Sequence, residues 1–102
     1  MVEGEIYEKK EFPSAMSDIN EGYFFYEQQS RGVGSYFLDS IYSDIDSLHL
    51  YAGIHPKKYK NYFRMQSRRF PFFVFYTIED TSVIVFAVLD SRRSPAWIRK
   101  KL

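Results

Sequence analysis

The stretch Tyr62–Trp97, YFRMQSRRFPFFVFYTIEDTSVIVFAVLDSRRSPAW, decides the fold. Its two apolar runs, Phe70–Ile78 and Val83–Leu89, are rich in the Phe, Tyr, Val and Ile that favour strands. A four-residue polar link, Glu79–Ser82, joins the two runs, and this pattern predicts a β-hairpin. Just upstream, Tyr62–Ser67 alternates apolar and polar residues, which predicts a third strand with one buried face. Together these patterns predict an antiparallel meander with arginines at its ends.

A first amphipathic helix is predicted from about Ser14 to about Ser30. Ser14 follows a proline and is the expected N-cap, with Ser17 as the alternative. The glycine-punctuated segment Arg31–Gly34 should end the helix. Helical spacing places the following residues on one apolar face, with the last two widening it: Ala15, Ile19, Tyr23, Tyr26, Phe24 and Phe25.

A second helix is predicted from about Gly34 to Leu50. Its expected apolar stripe comprises Phe37, Ile41, Ile45 and Leu48, with Leu38 beside it, whereas Asp39, Asp44 and Asp46 fall mostly off the stripe. The short link between the two helices predicts an antiparallel helical hairpin, whose apolar face needs the meander as its partner.

The chain ends add two short elements. Val2–Phe12 is predicted to contain a polar edge strand, because charged residues on an edge strand oppose aggregation. Ser94 before Pro95 predicts the cap and first position of a short helix, Pro95–Leu102. The complete prediction is one α+β domain over residues 1–102, with an N-terminal strand and a helical hairpin packed on a twisted antiparallel sheet.

Composition excludes several classes of function. The 102 residues include no cysteine and only two histidines, His49 and His55, so we expect neither disulfides nor a metal site, and no cofactor. No signal-peptide pattern and no run of about 18 apolar residues occurs, which predicts a cytoplasmic protein without a membrane partner.

Charge is divided unevenly along the sequence. Residues 1–53 contain 3 basic and 10 acidic residues, a net charge of −7, and residues 54–102 contain 11 basic and 3 acidic residues, a net charge of +8. This asymmetry predicts an acidic face and a basic face, and a basic face suits an anionic partner. The alternative to an anionic partner is that both faces are simply solvated and that their charges neutralise each other.

Four stretches resemble the RelE/ParE superfamily of toxins from bacterial type II toxin–antitoxin modules. They are DINEGYFFYEQQSRGVGSYFLDSIYSDIDSL from Asp18, YAGIH from Tyr51, RMQSRRFPFFVFY from Arg64 and AVLDSRRSPAWI from Ala87. The resemblance covers nearly the whole chain after Pro13 and leans toward the ParE-like branch. It implies a helical hairpin packed on a twisted antiparallel sheet, and a cognate antitoxin protein as partner.

The resemblance leaves two activities open. Toxins described in the ParE-like branch poison DNA gyrase, whereas RelE-like toxins cut mRNA in the ribosomal A site with basic residues and a tail aromatic. Arg64 and Arg93 match two basic positions of the nuclease branch. Gln66 stands where that branch usually has a lysine, Phe73 where it has an arginine, and Trp97 where it has a tyrosine. Cleavage needs groups that activate the 2′-hydroxyl, protonate the leaving oxygen and stabilise charge on phosphate. The absence of the lysine, the arginine and the tyrosine therefore argues against efficient cleavage.

The resemblance therefore favours a growth-inhibiting toxin that binds gyrase. The alternatives are a ribosome-dependent endoribonuclease, in which Arg64 and Arg93 are the catalytic candidates, and a degenerate member that only binds its antitoxin. The predicted target-binding residues are Arg64, Arg68, Arg69, Arg92, Arg93 and Trp97, although Arg92 and Arg93 could instead pair with acidic residues such as Asp90. The predicted antitoxin-binding residues are Phe72, Phe73 and Phe75, if these aromatic side chains are exposed.

Overall fold

The computed structural model describes residues 7–102, and its elements follow the predicted order. They are β1 (Glu8–Glu11), α1 (Pro13–Gln29), α2 (Val33–Tyr51), β2 (Phe63–Gln66), β3 (Phe72–Glu79), β4 (Ser82–Asp90) and α3 (Pro95–Lys101). The α+β class, the helical hairpin and the short C-terminal helix are confirmed. The predicted strand within Val2–Phe12 is confirmed at its C-terminal part, whereas residues 2–6 lie outside the described residues.

The sheet has four strands in the order β1-β4-β3-β2. Strands β2, β3 and β4 form the predicted antiparallel meander, with Met65 opposite Val74 and Val74 opposite Val88. Strand β1 adds to β4 in parallel, with Glu8 opposite Ser82, so the complete sheet is mixed. The parallel pairing follows from the connection, because the helical hairpin crosses over the sheet before the chain returns as the meander.

The hairpin turn is tighter than the predicted four-residue link. Glu79 and Ser82 pair across β3 and β4, which leaves only Asp80 and Thr81 in the turn. Asp80 has a φ of 54°. Aspartate tolerates this left-handed conformation better than most residues, which explains how a turn without glycine closes here.

One face of the sheet packs against the helical hairpin. The predicted stripe of α2 is confirmed, since Phe37, Ile41, Ile45 and Leu48 are all buried. Helix α1 buries Ala15, Ile19 and Tyr26 as predicted, and also Gly22, which has no side chain to enter the interface. An ideal Cβ at Gly22 would overlap the ring of Phe37. This glycine therefore allows the two helices to approach closely.

Three predicted details of the helices are wrong. Ser14 is not the N-cap: α1 begins at Pro13 after Phe12, and the Ser14 hydroxyl donates a hydrogen bond of 3.0 Å to the carbonyl of Phe86. Phe24 and Phe25 do not widen the buried face but are 62% and 51% exposed. At 100° per residue, Phe24 lies about 180° and Phe25 about 80° around the helix from the buried Ala15, so neither belongs to the buried face.

The third incorrect detail is Asp44, which lies inside rather than off the stripe and is 3% exposed. Its carboxylate accepts hydrogen bonds from the Ser67 hydroxyl at 2.7 Å and from Arg68 Nε at 3.0 Å. The carboxylate thus joins α2 to the β2–β3 connection. Ser94, in contrast, caps α3 as predicted and accepts a hydrogen bond of 3.2 Å from the Trp97 amide.

A β-bulge changes which residues of β4 face the helices. Tyr76 pairs with Val85, but the preceding residue, Phe75, pairs with Ala87, so Phe86 is the extra residue. Val85 consequently faces the helical hairpin, whereas Ala87 belongs to the core on the opposite face. A bulge re-aims the side chains that follow it, and here it supplies a second core beneath α3.

Candidate functional site

The second face of the sheet carries a small core of its own. Phe75, Ala87 and Leu89 from the strands and Ile98 from α3 are buried together there. The period of two along β3 directs Phe73 and Phe75 to this face, and the bulge in β4 directs Ala87 and Leu89 to it. Partly buried aromatic residues surround this core: Tyr59, Tyr62, Phe73 and Trp97.

Four cations lie over these aromatic rings. The Arg64 guanidinium is 4.4 Å from the ring centroid of Phe73, and the Arg93 guanidinium is 4.7 Å from that of Trp97. The Lys101 ammonium also lies 5.2 Å from the Trp97 centroid, and Arg99 lies 6.0 Å from that of Tyr59. These distances are within the range of cation–π attraction. We call these four side chains the ring-held cations: Arg64, Arg93, Arg99 and Lys101.

The ring-held cations lie over aromatic rings, whereas Arg68 and Arg92, two of the predicted target-binding arginines, contact carboxylates. Within residues 7–102, none of the four forms an ion pair, whereas two of the predicted target-binding arginines do. Arg68 pairs with Asp44, and Arg92 makes a two-point contact with Asp90 at 3.0 and 2.8 Å. The hydrogen bond from Arg92 lowers the pKa of the Asp90 carboxyl. Arg68 and Arg92 thus donate hydrogen bonds to carboxylates of their own chain. For Arg92, the alternative of pairing with Asp90 is the one observed.

The remaining predicted target-binding residues occupy two places. Arg93 and Trp97 come together at the start of α3, and Arg64 lies on β2, so these three residues share the face that carries the second core. Arg69 is exposed in the β2–β3 connection. The roles of all these residues stay predictions.

Sequence reasoning missed Arg99, Lys101 and Tyr59. One signal was available, since Trp97 and Lys101 are four residues apart on a predicted helix and therefore share a face. No comparable signal placed Tyr59, because it comes from an irregular loop whose path depends on tertiary packing.

The positions that depart from the nuclease branch have structural roles. The Gln66 amide donates a hydrogen bond of 3.1 Å to the carbonyl of Phe72 and so helps to close the β2–β3 connection. Phe73 provides the ring beneath Arg64. His55 hydrogen-bonds to the hydroxyl of Tyr76, which belongs to the core that faces the helices, and burial lowers the pKa of His55. His55 is therefore directed away from the ring-held cations.

The predicted antitoxin-binding aromatic residues are mostly enclosed. Phe75 is 0% exposed and Phe72 is 8% exposed, whereas Phe73 is half-buried. Phe75 therefore presents no surface to a partner in this structure. Exposed aromatic side chains lie instead on both helices of the hairpin, at Tyr36, Tyr42 and Tyr51 of α2 and at Phe24 and Phe25 of α1. The sequence pattern assigned Phe24 and Phe25 to the core.

A groove of about 330 Å³ separates α1 from α3. Phe72 contributes to its lining, Asp18 and Glu21 come from α1, and Arg93 and Lys101 come from the α3 region. Desolvation raises the pKa of Asp18 to about 6, although its carboxylate accepts a hydrogen bond from the Val88 amide that opposes the shift. The groove thus has an acidic wall and a basic wall.

Neither a metal cluster nor a membrane-spanning helix is found among residues 7–102. No group of three or more His, Asp or Glu side chains is arranged to hold a metal ion within that range. Neither of the two long helices of the described chain combines the length and hydropathy that a bilayer crossing requires.

Comparison with known proteins identifies the fold. No protein-family model matches the sequence, and no curated protein is significantly similar to it. Among solved structures, a chain of the structure described as "Chromosomal ParDE TA system from P. aeruginosa" matches with a TM-score of 0.75 and 13% sequence identity. The match covers 83% of this chain and 96% of that chain. The RelE/ParE-type fold expected from the sequence resemblance is therefore confirmed; at 13% identity, the likeness concerns the fold.

Proposed function

We propose that this chain is the growth-inhibiting toxin of a type II toxin–antitoxin module, that it acts by binding DNA gyrase, and that a cognate antitoxin neutralises it. The observation that carries the proposal is the fold shared with a chain of the ParDE toxin–antitoxin structure over nearly that chain's whole length. The sequence resemblance to the ParE-like branch supports the same assignment from the residues.

The geometry of the second sheet face favours binding over RNA cleavage. A nuclease needs a group that activates the 2′-hydroxyl and another that protonates the leaving oxygen. Within residues 7–102, Arg64 lies over the Phe73 ring, and the second core and the residues packed against it include no histidine or carboxylate; the phenols there belong to Tyr59 and Tyr62. Arginine keeps its proton at neutral pH and serves as an anion-binding group. The face is thus better suited to holding an anionic surface than to moving protons.

The ring-held cations are the proposed target contacts, together with Trp97. Arg64 and Arg93 have the strongest claim, because the resemblance matches them to two basic positions and both lie over rings that pack against the second core. Arg68 and Arg92 have a weaker claim, since each would have to leave a carboxylate within its own chain before it could bind a target.

The antitoxin is proposed to use the groove between α1 and α3. Phe72 lines this groove, and the exposed Phe25 forms part of its rim. An apolar antitoxin side chain that enters the groove would cover these aromatic surfaces. Partner proteins commonly cover exposed apolar patches of this kind.

A supercoiling assay with purified components tests the target. We expect the chain to inhibit the supercoiling of relaxed plasmid by gyrase, and we expect the Arg64→Ala/Arg93→Ala variant to inhibit it more weakly. The single variant Arg64→Ala is compared with Lys10→Ala, which also removes one positive charge but from β1, at the opposite edge of the sheet. Full gyrase activity in an excess of folded wild-type chain would refute gyrase as the target.

The ribosome-dependent endoribonuclease is the second candidate, and the shared location of Arg64 and Arg93 favours it. Both arginines lie over rings that pack against the same second core, and arginines on one face can stabilise the charge that develops on phosphate. Primer extension on cellular mRNA after induction distinguishes this candidate. New cleavage sites that disappear in both Arg64→Ala and Arg93→Ala would support it, and cleavage that persists in both would remove these two residues from the catalytic role.

A further inference from the structure

We infer that the face formed by β2, the second core and α3 binds the phosphate backbone of double-stranded nucleic acid without reading its sequence. This inference goes beyond gyrase binding, because it concerns a property of the isolated chain. The face is defined by the ring-held cations, Arg64, Arg93, Arg99 and Lys101, and by the aromatic rings beneath them.

The first argument is the distribution of unpaired positive charge. Residues 54–102 carry a net charge of +8. In the part of the chain that the structure describes, the only basic residues of this half that form ion pairs are Arg68 and Arg92. The remaining cations keep their charge available to an external anion. A concentrated positive potential of this kind attracts polyanions.

The second argument is that the four cations share one surface. The rings beneath them, Phe73, Trp97 and Tyr59, all pack against the same buried core of Phe75, Ala87, Leu89 and Ile98. A cation that already rests on a ring loses less side-chain entropy when it binds than a freely rotating one. The face is therefore partly organised for anion binding before any ligand arrives.

The third argument favours phosphate over the carboxylates of an acidic protein. Three of the four ring-held cations are arginines, whose planar guanidinium is weakly hydrated and matches phosphate oxygens at two points. Regularly spaced phosphates can engage several such groups along one edge, whereas protein carboxylates have no fixed spacing. Six of the eleven carboxylates within residues 7–102 lie on the helical hairpin, and Asp18 and Glu21 among them line the far wall of the groove.

The fourth argument concerns base recognition. Single-stranded binders stack bases on aromatic faces that are free to receive them. Here Trp97 already carries two cations, and Phe73 and Tyr59 carry one each. Because cations occupy these ring faces, nucleic-acid bases cannot stack on them, and the cations bind the phosphates instead. Phosphate contacts carry no sequence information. Duplex DNA is therefore the appropriate probe.

The expected salt dependence follows from the number of phosphates contacted. Four contacts on a duplex give a slope of log K against log salt of about −3.6, so affinity should fall about 100-fold between roughly 50 and 200 mM KCl. Lys101 and Arg93 line the groove opposite Asp18 and Glu21. We therefore expect the slope to be shallower if these two cations interact mainly with α1, and about −2 is the lower limit set by Arg64 and Arg99 alone.

The experiment is fluorescence anisotropy with purified chain and a labelled duplex of about 20 base pairs, titrated at several KCl concentrations. Arg64→Ala and Arg99→Ala should each weaken binding for two unrelated duplex sequences equally, and each should reduce the slope by about 1. Lys10→Ala should leave the slope unchanged, since Lys10 lies on β1 at the other edge of the sheet. Circular dichroism confirms that each variant is folded.

Three results would overturn the inference. They are no binding at the lowest salt concentration, equal losses in Lys10→Ala and Arg64→Ala, and binding of polyglutamate in preference to DNA, which would instead indicate an acidic protein partner. Because the assay contains neither gyrase nor living cells, a negative result leaves the proposed toxin function standing. Equally, a chain that binds DNA but does not inhibit growth would disprove the toxin function alone.

Discussion

Replacing Asp44 should destabilise the fold far more than replacing Asp46, two residues away on the same helix. The Asp44 carboxylate is 3% exposed and accepts hydrogen bonds from the Ser67 hydroxyl at 2.7 Å, the Arg68 amide at 3.3 Å and Arg68 Nε at 3.0 Å. Asp46 is 71% exposed and, among residues 7–102, its ion pair is with Lys9 at 2.9 Å. Both Asp→Ala variants lose one negative charge from α2, so they form a matched pair.

The magnitude follows from the groups that Asp44→Ala leaves without a partner. Breaking a fully buried charge pair costs about 3–5 kcal/mol. Here the Arg68 side chain is 64% exposed and can return to water, so the lower end, about 3 kcal/mol, is expected. For a domain of this size, that loss lowers Tm by about 15 °C. Asp46→Ala should cost less than about 1 kcal/mol, as exposed ion pairs do.

Chemical and thermal unfolding followed by circular dichroism measures both variants. The double variant Asp44→Ala/Arg68→Ala should be destabilised by less than the sum of the two single variants, because Arg68 then has no carboxylate to lose. The reasoning is refuted if Asp44→Ala and Asp46→Ala unfold within about 1 kcal/mol of each other, since the buried network would then contribute no more than a surface pair.

Three further predictions follow from individual side chains. Burial raises the pKa of Asp18 to about 6, so stability should fall as pH rises from roughly 4 to 6, by about 1 kcal/mol because solvent screens this half-buried carboxyl. Asp18→Asn should flatten that part of the stability curve, and an unchanged curve would contradict the assignment. Gly22→Ala should lower stability by about 1–3 kcal/mol in urea unfolding, because the new methyl group overlaps the Phe37 ring; a neutral result would mean that the helices separate at no cost. Ser94→Ala should cost about 1 kcal/mol and increase amide hydrogen exchange in α3, since the Trp97 amide loses its cap; unchanged exchange would show that packing alone holds α3.

The predictable part of the fold is the part governed by repeating patterns. The alternation in β2 and the helical stripe of α2 each follow from a single period, and the structure confirms both. The cap at Ser94 is equally local, because the residue that caps the helix and the helix it caps are adjacent in sequence.

The details that sequence could not give depend on contacts between distant segments. Asp44 is polar, yet it is buried because Ser67 and Arg68 reach it from another element. Phe24 is a different case, because the helical period already places it about 180° from the buried Ala15, and its exposure was predictable from its position. The alternating pattern of β4 does not indicate the bulge at Phe86. This bulge turns Ala87 and Leu89 to the face where they pack with Ile98 of α3.

The candidate site was predictable in its composition but not in its arrangement. The arginines of the C-terminal half were visible in the charge distribution. Their separation into ring-held cations and internally paired arginines depends on whether an aromatic ring or a carboxylate lies nearby. Arg93 and Arg92 are neighbours in sequence, and yet one lies over Trp97 and the other contacts Asp90.

Pulse labelling in bacteria tests the central claim most directly. The chain is induced without any antitoxin, and incorporation of labelled thymidine and methionine is followed together with growth. A gyrase-binding toxin predicts that growth stops and that thymidine incorporation falls first. Earlier loss of methionine incorporation would contradict gyrase as the target and support the ribosome. Unaffected growth with folded protein present would contradict the toxin function itself.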